Sequence, residues 1–553
     1  MKLNTFLNHQ TKTVNRAAFI LATSALISRL LGIARDLLLA KTFGAGAELD
    51  IYFASFKIPD LVYNVLILGG FLVAFLPLFS EYFSKNQKKA WDFTSNCLNI
   101  FLSLLILISF FLFLFTPFVV KLITPGFTEE QLGKTILLTR IMFLSPIFFG
   151  LSSIFSGILQ YFNRFLIYAL CPILYNLGII FGILFLTPQF GVLGVALGVV
   201  LGAFFHFAIQ IPSAINCGFS YKPIFDFKDI RIKKVFALMI PRTLGISASQ
   251  INLLFINAIA STLAEGSISI FNFANNIQYF PIGIIGVSFA MAVFPKLSKA
   301  WAENEKESFV SNFSLVFRQI LYLIIPISIL IFILRNEIVG IILRHGQFSS
   351  GSTLLTSSSL ALFCLSLSAS ALIPLLFRAF FSLKDTKTPT LIAIASVIIS
   401  IALSFFLTQM LAHPQSCLET GFKLLFIKAF SLFSIKDISV LGLPLAVSIS
   451  VVFQFILMFV FLKKRINNFK TREIFDSFLK ILTASLLMAI SVCFILPIID
   501  SILSSKTLID ELLRMAIVSA TGCLVYLLAT FALNSPEIKI FKNLLLKKFS
   551  DKN

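Results

Sequence analysis

Two arginines stand inside the first apolar run of this chain. In Leu26-Ile27-Ser28-Arg29-Leu30-Leu31-Gly32-Ile33-Ala34-Arg35-Asp36, three ionisable side chains fall within a stretch long enough to cross a bilayer as a helix. An ionised group at membrane depth costs about 2.5–3.5 kcal/mol even on a lenient insertion scale. Arg29, Arg35 and Asp36 are therefore expected to face a protein interior or a wet cavity. A guanidinium does not deprotonate, and it grips phosphate or carboxylate oxygens in a planar fork. A cavity lined by such groups suits an anionic substrate.

Other apolar runs carry polar stripes. Arg242, Gly245, Ser249 and Asn252 are spaced to share one helical face, with Gln250 nearby. Asp50, Lys57 and Asp60 share another, on a helix interrupted by Pro59. Asn272, Asn275 and Asn276 precede Pro281. On the first helix Arg29 and Asp36 share a face, and Arg35 points elsewhere. Arg29, Arg35, Asp36, Asp50, Arg242, Ser249, Asn252 and Asn276 are the candidate substrate-binding residues. The competing reading is that these groups pair off as buried glue, arginine with aspartate and asparagine with backbone, with Asp50 and Asp60 at a membrane interface. Arg378, in Phe377-Arg378-Ala379-Phe380, is expected to snorkel to the cytoplasmic surface.

The elements that must position these residues are membrane helices. Of 553 residues 58% are hydrophobic and only 13% charged, and mean hydropathy is +0.95. One soluble core could not hide that much apolar surface. Apolar runs of about 20 residues recur along the chain, about fourteen in all, the first near 15–39 and the last near 509–533. The expected fold is all-α and polytopic, and its 65 phenylalanines suit a lipid-facing surface. No small-residue cleavage site follows the first run, which is expected to stay in the mature protein. The net charge of +20 reads as the positive-inside rule, not as nucleic-acid binding. Lysines and arginines concentrate in the loops near Lys88, Lys228 and Lys464 and in the tail around Lys547, which places both termini in the cytoplasm.

No enzyme signature is present: no phosphate-binding glycine loop, no metal cluster, no nucleophile set. Cys97, Cys171, Cys217, Cys364, Cys417, Cys493 and Cys523 are scattered, and His9, His206, His345 and His413 do not cluster. Neither a disulfide frame nor a cofactor is expected.

The chain also repeats. Ala74-Phe75-Leu76-Pro77-Leu78-Phe79-Ser80 resembles Ala292-Val293-Phe294-Pro295-Lys296-Leu297-Ser298, Ser28-Arg29-Leu30-Leu31-Gly32 resembles Pro241-Arg242-Thr243-Leu244-Gly245, and Val192-Leu193-Gly194 resembles Val440-Leu441-Gly442, in the same order. Parallel repeats of this kind predict two pseudo-symmetric lobes about a central cavity. The expected divisions are a first lobe over 1–213, a basic cytoplasmic linker over 214–233, a second lobe over 234–465, and two further helices with a basic tail over 466–553. Gly194, Gly198 and Gly202 form a small-residue stripe for close helix packing.

SRLLGIARDLLLAKTFGAGAELDIYFASFKIPD over 28–60, GILQYFNRF from Gly157, PRTLGISASQINL from Pro241, FPIGIIGVSFAMAVFPKLSK from Phe280 and KDTKTP from Lys384 together resemble the MurJ (MviN) family of lipid II flippases, within the multidrug/oligosaccharidyl-lipid/polysaccharide exporter superfamily. The resemblance implies fourteen helices in two lobes and export of the undecaprenyl-pyrophosphate-linked peptidoglycan precursor by alternating access across a bacterial inner membrane. It implies lipid II and membrane lipids as partners, a monomer, and the membrane potential or an ion as the coupling source. It marks Arg29, Arg35 and Asp50 as essential cavity residues. The sequence departs from the pattern where a cavity arginine of many members falls at Asn276 and another arginine-rich spot reads Tyr63-Asn64. Arg242, at the repeat position of Arg29, is expected to supply the missing cation. The alternatives are a flippase for another polyprenyl-linked glycan and an ion-coupled multidrug exporter, which would favour carboxylates over arginines in its cavity.

Overall fold

The computed structural model describes residues 14–466, 469–502 and 508–538. They are overwhelmingly helical, with no strand among the described residues. Among the described residues, ten helices are long and apolar enough to cross a membrane. The bent pair Ser350–Cys364 and Leu367–Ser382, angled by 49°, makes an eleventh if it is one span. The count of about fourteen also includes three charge-bearing helical runs: Val14–Phe43, the succession Ala47–Val62, Tyr63–Phe71 and Leu72–Lys85, and Ile230–Ser261.

The chain divides into two compact units. The first holds Met1–Ser269 with His345–Phe348, and the second holds Ile270–Arg344 with Ser349–Asn553. This partition follows packing, and it differs from the repeat-based lobes. The helix Ile230–Ser261, assigned by repeat to the second lobe, packs with the first unit, where Ile232, Val235 and Met239 join its core.

Proline shapes two of the helices. Pro59 and Pro281 each lack the amide that an α-helix needs, and each is followed by a wider-wound π stretch, Tyr63–Phe71 and Ile282–Val287. These are the helices that carry the Ala-Phe-Leu-Pro and Ala-Val-Phe-Pro repeats, so the repeat extends to a shared backbone irregularity.

Phenylalanine does two jobs. Phe110, Phe111, Phe115 and Phe118 are exposed on the apolar exterior as expected, but Phe71, Phe75, Phe79, Phe93 and Phe101 form the centre of the first unit. Phe71 stacks on Phe101 at 4.1 Å between ring centroids. In the second unit Phe309, Phe313 and Phe317 fill the same role. The glycine stripe brings two helices into backbone contact. A Cβ on Gly198 would lie 2.7 Å from the Cα of Gly182, too close for any side chain. In the second unit, the C-terminal helices Thr471–Ile502 and Leu508–Ala532 are tied in by polar bonds at buried positions. Glu537 accepts from Ser477 at 2.8 Å and lies 3.6 Å from Arg318, and Tyr526 donates to the Tyr322 carbonyl at 2.7 Å.

Candidate substrate site

Arg35 is held from two helices. Its Nε and Nη2 donate to Asp36 Oδ1 at 3.0 and 2.8 Å, and its Nη1 donates to Asn176 Oδ1 at 3.3 Å. Asn176 in turn donates to the Ser28 carbonyl and hydroxyl at 3.3 and 3.2 Å, stapling Phe165–Phe181 to Val14–Phe43. A guanidinium has five N–H donors. Three are engaged here, which leaves two, one on each terminal nitrogen. The buried-glue reading therefore describes part of Arg35, while its two remaining donors are available to a ligand.

Arg35 borders a cavity of about 210 Å³ inside the first unit, together with Asp60, Tyr63, Tyr175, His206 and Phe149. Its walls are aromatic with a few convergent polar tips, the usual composition of a small-molecule pocket. The cavity is backed by a polar chain. His206 Nδ1 lies 2.7 Å from Ser152 Oγ, Gln210 Nε2 donates to the same hydroxyl, and Ser156 donates to Gln210 Oε1 at 3.0 Å. Asn176, Tyr175 and His206 were not among the sequence candidates. The available signal was a lone asparagine and a lone histidine within apolar runs.

Asp50 is buried and spoken for. Its Oδ2 accepts from the Gly266 amide at 2.7 Å, and its Oδ1 accepts from the Ser269 amide at 2.8 Å and the Ser269 hydroxyl at 2.6 Å. A carboxylate on the first amides of Ser267–Pro281 satisfies donors that have no partner within the helix and complements its dipole. Close backbone approaches account for Gly44 and for the seat of Ala45 in the Phe43-Gly44-Ala45-Gly46 motif. Gly266 has φ +89°, and a Cβ there would meet the Ala45 carbonyl oxygen at 2.5 Å. Gly44 has φ +66°, and a Cβ there would meet the Gln347 carbonyl oxygen at 2.6 Å, while the Gln347 amide donates to Lys41 O at 3.1 Å.

The other candidates are more scattered. Arg29 is half-buried on Val14–Phe43. On Ile230–Ser261, Ser249 is exposed, and Asn252 is half-buried with an Oδ1 that has no hydrogen-bond partner among the described residues. The Arg242 side chain lies outside the described residues, so its expected companionship with Arg29 stays a proposal. Asn276 is exposed and belongs to the second unit. Arg378 is half-buried with its guanidinium over the Phe294 ring at 5.0 Å, a cation–π seat within the second unit.

Residues 39–509 match the family model described as lipid II flippase MurJ. The chain is 31% identical to the probable lipid II flippase MurJ of Buchnera aphidicola subsp. Schizaphis graminum, over 95% of this chain and 97% of that one. It is 29% identical to its Vibrio cholerae counterpart over 71% and 77%. Among solved structures, a lipid II flippase MurJ in an inward closed conformation superposes with a TM-score of 0.73 at 25% identity, covering 96% of this chain and all of that one. An inward-facing MATE family multidrug transporter of the MOP superfamily shares the fold, with a TM-score of 0.64 at 14% identity over 82% and 99% of the two chains. With a family model matched over most of its length and a relative aligned nearly end to end, this chain belongs to the lipid II flippase MurJ family.

Proposed function

We propose that this lipid II flippase recognises the pyrophosphate of its substrate through Arg35, held by Asp36 and Asn176, with Arg29 and Arg242 as the further cations of the set. The single observation that carries this reading is the state of Arg35. Three of its donors are locked into protein, which fixes the side chain, and two remain beside a cavity. Pre-oriented guanidinium donors bind phosphate oxygens with little further loss of freedom. Asp36 then acts as the positioning partner, and Asp50 acts by capping a helix start instead of touching substrate. Ser249 and Asn252 supply hydrogen bonds to the uncharged part of the head group. The transport cycle is alternating access, with no chemical step, while the polyprenyl tail stays in lipid. Both termini are assigned to the cytoplasm, and the protein acts as a monomer driven by the membrane potential or an ion.

The test compares Arg35→Ala, Arg35→Lys and the parent chain in cells depleted of their own lipid II flippase, with membrane abundance measured in parallel. Loss of a charge-assisted phosphate contact costs about 1.5–3 kcal/mol, or roughly ten- to a hundredfold in affinity. Arg35→Ala should reach the membrane and fail to export precursor. Arg35→Lys, which keeps the charge and loses the fork, should recover only part of the activity. Parent-like export by Arg35→Ala would remove Arg35 from the substrate site.

A further inference from the structure

The segment between the spanning helix Val192–Asn216 and Ile230–Ser261 is strapped down along its backbone. Three polar side chains on Gln87–Leu114 do the strapping. Asn96 donates to Asp226 O at 2.9 Å and accepts from the Asp226 amide at 2.8 Å. Asn99 donates to the carbonyls of Lys222 and Ile224 at 3.2 and 2.9 Å, and Ser95 Oγ accepts from the Lys222 amide at 3.2 Å. Arg231 closes the end, donating to Asp229 at 2.8 Å and to the Lys89 carbonyl at 2.9 Å.

Binding alternate residues of an extended segment sends the others outward. Tyr221 is 56% exposed, Phe225 56%, Phe227 66% and Ile230 69%. Lys228, Lys233, Lys88 and Lys89 are exposed in the same stretch or on the elements tied to it. Of the nearby acids two are ion-paired, and Asp226 is exposed and accepts from the Lys228 amide at 2.9 Å. Asp92 is paired with Lys222 at 2.5 Å, and Asp229 is paired with Arg231. Burial alone would raise the Asp229 carboxyl, but its hydrogen bonds to Arg231 outweigh this and hold it below the usual range. The face is thus apolar, with four exposed lysines against the exposed Asp226, and it directly follows the spanning helix Val192–Asn216.

We propose that this strap is a binding site for anionic phospholipid headgroups, its aromatic side chains seated among the acyl-chain necks and its lysines on the phosphates. Aromatic rings favour this depth, and each lysine near an anionic surface contributes about 1 kcal/mol. The backbone bonds serve the site: a strap already ordered loses little freedom on meeting lipid.

The test places a tryptophan on the face. The full chain carrying Phe227→Trp is reconstituted in phosphatidylcholine vesicles containing an equal mole fraction of brominated phosphatidylglycerol or brominated phosphatidylcholine. The quenching increment over the parent chain, which has Trp91 and Trp301 in both cases, is then read. The expected increment is at least about twofold larger with the brominated anionic lipid, and the two lipids become equal when Lys228→Gln and Lys233→Gln are added. Equal quenching in the unaltered strap would mean no headgroup selection and would overturn the proposal. No increment with either lipid would overturn it too, and would give the face to a protein partner. The readout involves no transport, so it stands or falls separately from the Arg35 reading.

Discussion

Arg35 and Asp50 divide the labour that their residue types alone left undivided. Both are ionisable groups in spanning elements, and both are costly there unless paired. Asp50 gives its carboxylate to the amides of Gly266 and Ser269, which places it at a helix start. Arg35 keeps donors in reserve. Arg242 is proposed to supply the cation that the resemblance expects where Asn276 stands. Arg242→Ala should therefore lose roughly ten- to a hundredfold in substrate affinity, and adding Asn276→Arg should restore part of the export. Export that is unchanged in Arg242→Ala, or a double variant no better than the single, would leave Arg242 out of the set.

At the scale of the element, the decisive features are close approaches and breaks. Gly178, Gly182, Gly198 and Gly202 let the span Phe165–Phe190 and the helix Val192–Ala208 touch backbone to backbone. Small residues at such a seam allow the dispersion contacts that hold helices together in lipid. Gly198→Val cannot fit 2.7 Å from Gly182 without separating the helices. That separation would also shift Asn176 on the first helix and His206 on the second. Gly198→Val should lower the thermal unfolding temperature in detergent by several degrees, whereas Gly133→Val, where a Cβ has open space, should not. Equal stability of the two variants would refute the seam.

For the whole molecule, the charge asymmetry of the loops makes a geometric statement. Cysteines placed singly at positions 88, 228 and 464 in a cysteine-free chain should be shielded from a membrane-impermeant maleimide in intact cells, and cysteines at 121 and 428 should react. Labelling of position 228 from outside would invert the proposed orientation, and with it the leaflet whose lipids meet the strap.

What the sequence determined by itself was set by long-range bookkeeping of apolarity and charge. Runs of apolar residues must be helices, because lipid offers backbone groups no partner. Charges inside them need partners, so Arg29, Arg35, Asp36 and Asp50 stand out as candidates from residue type and position. The motifs carried the family. The tertiary structure decided which partner each charge takes, because a hydrogen bond depends on approach at 2.7–3.3 Å between residues more than a hundred positions apart, as in Arg35 with Asn176 and Asp50 with Ser269. It also packs Ile230–Ser261 with the first compact unit, where Ile232, Val235 and Met239 sit in its core. The strap was a run of basic and aromatic residues in sequence, and only the asparagines of a distant helix fixed which of its side chains face outward.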